Sequence, residues 1–170
     1  MSGRIAALAL AAGVLAGQQT GAQIPKQAQR GMDLFSEKRC STCHKLGDSG
    51  TAIGPDLPGI ARVTPKGITV MILSTRTEFV KTIELKNVHQ IPAMRVQDDG
   101  KMVRFYDLSK DPPALVEVEK SRVASVRNDE KWRHPPSSAN LSEEQLADII
   151  AYIRWASYGD RKGVDPEEVR

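Results

Sequence analysis

The sequence predicts a mainly α-helical domain interrupted by a small antiparallel β insertion. Amphipathic segments stand toward both ends of the chain, at residues 29–38 and 142–157. Between them, from about residue 77 to 127, partial apolar and polar alternation takes over, and Asp98-Asp99-Gly100 supplies a hairpin turn signal. With 170 residues the chain is long enough for one domain with a core that needs no disulfide staples. Only 5% of residues are aromatic, so a core built from side chains alone would be aliphatic and modest.

Residues 1–22 read as a signal peptide. A cationic start at Arg4 leads into an apolar run from Ile5 to Ala16, then small and polar residues through Thr20-Gly21-Ala22, with cleavage expected near Ala22-Gln23. An uncleaved anchor competes with this reading, but the run is short for a bilayer and breaks after Ala16. No later stretch has the length of a transmembrane helix, so the expectation is an exported, periplasmic or otherwise extracytoplasmic chain with no membrane span after cleavage. Residues 23–160 then form the domain, and residues 161–170, charged and containing Pro166, a flexible tail expected to fray.

Within the domain, Met32 and Phe35 mark the apolar side of a first helix that delivers Cys40. A Gly-, Ser- and Pro-rich loop at residues 47–59 contains Gly54-Pro55-Asp56-Leu57. A second helix starts after Thr64, with Pro65 in its first turn and Val70, Met71 and Leu73 as its expected apolar side. Strands are expected at residues 79–85, 94–96 and 102–106, and segments 115–118 and 122–126 can extend the sheet after the Pro112-Pro113 break. The last helix has Ser142 as N-cap, acidic residues in its first turn, and Leu146, Ile149, Ile150, Tyr152 and Ile153 near one face. It is expected to end before Gly159.

Cys40-Ser41-Thr42-Cys43-His44 is the attachment motif of a c-type haem. Thiols at i and i+3 project from one side of a helical turn, so each can add to one vinyl group of the same porphyrin, and the next residue then lies under the iron. Three other uses of the pair fit less well. An exported disulfide would not require the adjoining histidine, a zinc site needs a second ligand pair that the chain lacks, and a thioredoxin-like motif belongs in a β/α setting. One covalent haem c is therefore expected, with Cys40, Cys43 and His44 binding it. The formal charge of +3 falls to about +2 once Arg4 is removed, and two propionates bring it near neutral. Lys and Arg are dispersed among Asp and Glu, without a basic stripe interleaved with aromatics, so no nucleic-acid partner is implied.

The helix with Gly31 and Phe35, the Cys pair with His44, the Gly54-Pro55-Asp56-Leu57 loop and a last helix with Leu146, Ile150, Tyr152 and Trp155 together resemble the class I c-type cytochromes. The resemblance covers residues of about 28 to 62 and 130 to 157. It implies a cytochrome c-like helical haem domain in which the terminal helices cross, with Gly31, Phe35 and Tyr152 at the contact. It also implies that the Pro55 carbonyl accepts the imidazole N–H of His44, orienting the ring and raising its basicity. The β-rich middle departs from a minimal member of the family. It looks like the insertion of single-haem cytochromes found beside quinoprotein dehydrogenases in some bacteria, which implies such an enzyme as a redox partner.

Family members place a methionine ligand just before the last helix, and here no methionine follows Met102. Trp132-Arg133-His134-Pro135-Pro136 stands at that place, so by position His134 is the expected distal ligand, with the prolines stiffening its loop. Met94 in Ile91-Pro92-Ala93-Met94 is the alternative, although its alternation with Val96 favours a core role. His89, another side chain, or an open iron complete the choices. The leading expectation is an electron carrier rather than an enzyme, because no nucleophile elbow, nucleotide loop or second Cys pair is present. A haem enzyme or gas sensor with an open distal site, and a module in which haem only stabilises the fold, are the alternatives.

Overall fold

Two helices from opposite ends of the chain make the frame on which the Cys motif is mounted. In the computed structural model, which describes residues 23–74, 79–86, 88–134 and 140–170, α1 (Lys26–Glu37) crosses α4 (Glu143–Tyr158). The expected signal peptide at residues 1–22, together with Pro135 and Pro136, lies outside the described residues, and so does the side chain of His89. At the crossing Gly31 has no room for a side chain. A Cβ there would run into the Asp148 carbonyl and stand 2.8 Å from Tyr152 Cβ. Close approach lets Phe35 meet Tyr152 edge to face at 5.6 Å between ring centres. Arg30 forks onto the Asp148 carboxylate at 2.8 and 2.7 Å, covering a group that is otherwise nearly buried.

Local chemistry starts and stops α4 where the sequence places it. Ser142 Oγ accepts from the Gln145 amide, the Gln145 side chain accepts from the Ser142 amide, and Gly159 ends the helix at φ 76°. Between the terminal helices lie α2 (Leu57–Ile60) and α3 (Pro65–Leu73), the latter capped by Thr64. The buried face of α3 differs from the expected one. Ile68 is fully buried and Ile72 packs behind it, while Val70, Met71 and Leu73 are exposed. Positions 68 and 72 are one helical turn apart and share a face, whereas 70 and 73 point away from it and 71 stands at its solvent edge.

The mainly α class is overturned. Strands supply 25% of residues beside 38% helix, in one five-stranded antiparallel sheet, so the chain is a helical frame with a full β layer inserted. Its strands are β1 (Lys81–Leu85), β2 (Val88–Asp98), β3 (Met102–Asp107), β4 (Ala114–Glu119) and β5 (Val123–Asn128), in the order β4-β3-β2-β1-β5. The hairpin at Asp98-Asp99-Gly100 is held by Asp99 Oδ1, which accepts from the amides of Lys101 and Met102 at 2.9 and 2.7 Å. β2 runs well upstream of Met94, and β5 returns across the sheet to pair with β1. Those long-range pairings turn two optional segments into full strands and give the sheet its own core of Ile83, Ala93, Val103, Phe105 and Val118. The last ten residues, expected to fray, dock instead. Val164 and Val169 are buried, and Gln27 exchanges hydrogen bonds with the Val164 backbone at 2.7 and 2.9 Å.

Candidate haem site

Both cysteines sit on a single turn that begins where α1 ends. Arg39 takes a left-handed conformation, φ 61°, and swings the chain into a 3-10 turn, Cys40–Thr42. The Cys40 carbonyl then accepts from the amides of Cys43 and His44, at 3.2 and 2.9 Å. The two thiols are free and half-buried, and burial pushes both up from the ordinary cysteine range, with the carboxylate of Asp111 adding to the effect at Cys43. Asp111 is brought there by the β3–β4 loop, where its carboxylate pairs with both ends of the Arg39 guanidinium.

His44 follows directly, held from two sides. Its Nδ1 lies 3.0 Å from the Pro55 carbonyl oxygen, so the ring donates that N–H and leaves the Nε2 lone pair directed away from the loop. Burial holds the imidazole below its ordinary range, and the Pro55 carbonyl opposes this to a lesser degree, which favours the neutral, ligating form. Two glycines leave the space this needs. A Cβ on Gly54 would stand 2.6 Å from Cε1 of the His44 ring, and one on Gly50, at φ 87°, would run into the His44 carbonyl.

Opposite His44 stands His134. The ring centres are 6.2 Å apart, with the planes inclined at 39°. A metal bonded at about 2 Å to one nitrogen of each imidazole, with each nitrogen roughly 1.1 Å from its ring centre, requires the same spacing. In ring-centre spacing the pair thus matches two imidazoles on one iron. Burial lowers the His134 pKa first, and the facing charge of His44 lowers it further. Trp132 braces the His134 ring edge to face at 6.1 Å, and Asp129 Oδ1 accepts from the amides of Lys131 and Trp132 at 3.0 and 2.8 Å, fixing the loop that carries them.

The alternative distal residue, Met94, is buried in a cluster with Ile53 and Val80, against which Cys43, Tyr106, Leu108 and Trp132 pack. The sheet therefore contributes an apolar wall beside the second cysteine. Composition and spacing did not point to Val80, Tyr106, Leu108 or Trp132 as wall residues, though a tryptophan two positions before His134 was a readable signal. Among the described residues no group of three or more His, Cys, Asp or Glu is placed to hold a metal ion. No helix among them is long and apolar enough to cross a membrane.

A family model described as Cytochrome c matches residues 28–157. No curated protein matches the chain.

Proposed function

The chain belongs to the cytochrome c family, whose members are electron carriers with covalently bound haem, and from that premise we propose a single-haem, bis-histidine carrier exported from the cytoplasm. The facing pair of His44 and His134, 6.2 Å apart between ring centres, carries the reading. When bound, the haem supplies one-electron chemistry between ferric and ferrous iron. The chain's own residues do the rest. Cys40 and Cys43 would hold the porphyrin as thioethers, and His44, with its Nδ1 held by Pro55, and His134 would supply the nitrogen ligands. Ile53, Val80 and Met94 exclude water beside Cys43. Two imidazoles favour a lower potential than a histidine and methionine pair would, which suits a donor of low potential.

Export rests on the cationic and apolar pattern of residues 1–22. The insertion's likeness to that of cytochromes found beside quinoprotein dehydrogenases makes such an enzyme our proposed donor, docking transiently through a small polar interface. An open-site haem enzyme or gas sensor would need no second imidazole near His44, and the nearness of the His134 ring supports the carrier reading instead.

Absorption and magnetic resonance spectroscopy of holoprotein tests the ligand pair. His134→Ala is expected to convert the ferric low-spin spectrum to high spin and to admit carbon monoxide in the ferrous state, while Met94→Leu keeps both properties of the parent. An unaltered low-spin spectrum in His134→Ala sinks the distal assignment.

A further inference from the structure

One side chain of the inserted sheet reaches the proximal half of the site. Arg95 lies in β2 where the β2–β3 register breaks between Met94 and Gln97, and its backbone is left-handed, at φ 54°. A residue other than glycine holds that conformation only where surrounding contacts impose it, and such outliers gather at functional sites. The bend aims the guanidinium at the loop before Pro55. Nε donates to the Ile53 carbonyl at 3.0 Å and Nη2 to the Gly54 carbonyl at 2.8 Å. From the other side, the Cys43 carbonyl accepts from the amides of Ile53 and Gly54 at 3.0 and 2.6 Å. Two residues are thus gripped through all four of their backbone polar groups, and the next carbonyl in the chain is the one that accepts the His44 proton.

We propose that Arg95 is a positioning residue for His44: its fork on the Ile53 and Gly54 carbonyls fixes the Pro55 carbonyl against the imidazole Nδ1. The inference rests on His44 being the proximal ligand. A planar guanidinium spans two successive carbonyls with charge-assisted bonds, which the single point charge of a lysine does not reproduce. No side chain at Gly54 separates the clamped backbone from the ring, so movement of the loop is passed directly to the Pro55–His44 hydrogen bond. That bond sets the basicity of Nε2 and through it the balance between ferric and ferrous iron. Arg104, also on the sheet, pairs with Glu117 away from this loop and serves as the control.

Arg95→Lys, Arg95→Met and Arg104→Met are prepared as holoproteins, and solvent exchange of the His44 Nδ1 proton is followed by magnetic resonance in the reduced state beside the midpoint potential. Exchange is expected to be about tenfold faster or more in both Arg95 variants, the scale of one lost charge-assisted hydrogen bond. In Arg95→Lys, where charge is kept, the potential is expected to rise because His44 becomes a weaker donor. Arg104→Met is expected to match the parent in both. Parent-like exchange and potential in Arg95→Lys overturn the proposal, whatever Arg95→Met does, since a point charge would then suffice. Parent protein isolated without haem, or with haem that leaves the His44 ring resonances unshifted, would strike the proposed ligation instead.

Discussion

Replacing Cys40 and Cys43 together by alanine is expected to abolish covalent haem attachment, leaving a polypeptide whose mass equals that of the bare chain after denaturing extraction. The two thiols stand at the start and the C-cap of one 3-10 turn, and no other cysteine exists in the sequence to take over either bond. Both side chains are half-buried rather than packed at the centre of a core, so truncation itself costs little and the effect falls on the cofactor. Single variants keep one possible thioether and are expected to retain part of the haem. His44 and His134 remain in the double variant, so haem held only by its iron should be extracted by acidified solvent, whereas haem of the parent stays with the protein. Haem that resists extraction from the double variant would show attachment elsewhere.

Gly31→Ala is expected to give the largest loss of stability from a single methyl group. In an isolated helix the change would stabilise, by about 1 kcal/mol or less. Here the added carbon runs into the backbone carbonyl of Asp148, which cannot rotate out of the way as a side chain could. α1 and α4 must separate, loosening the Phe35–Tyr152 ring contact and the Arg30–Asp148 fork together. Overpacking of this kind costs about 3 kcal/mol, or roughly 6 to 12 °C in Tm for a chain of this size. Thermal unfolding of the holoprotein measures it. A variant as stable as the parent would mean that the helices do not cross at this point.

What the sequence made legible follows the range of the interactions involved. That Cys40, Cys43 and His44 share one turn could be read because they are near neighbours in the chain, and the Ser142 cap of α4 because its partner Gln145 is three residues away. The hairpin at Gly100 was equally local. The class of the fold was misread for the opposite reason. β5 acquires its partner, β1, across some forty residues, and nothing within segment 122–126 announces that pairing. On α3 the apolar triplet Val70, Met71 and Leu73 looked like a core stripe because hydrophobicity was read without the turn angle, and the helix buries Ile68 instead. Burial of Val164 and Val169 against the helical core, beside an anchor at Gln27, was invisible in a charged tail. Arg95 gave no signal at all, since its role depends on a backbone kink that only the sheet defines.

The pairing of β5 with β1 also works as a gauge. Asn128 lies opposite Lys81, and the next amide, of Asp129, donates to the Val80 carbonyl at 3.0 Å before the chain turns toward Trp132 and His134. Sliding β5 by a single step would carry that whole departure point along by about 3.3 Å and swap its inward and outward faces. A spacing of 6.2 Å between the His44 and His134 ring centres has no tolerance for such an offset. The distance between the two imidazoles is therefore measured out by rungs of a ladder whose own side chains lie elsewhere.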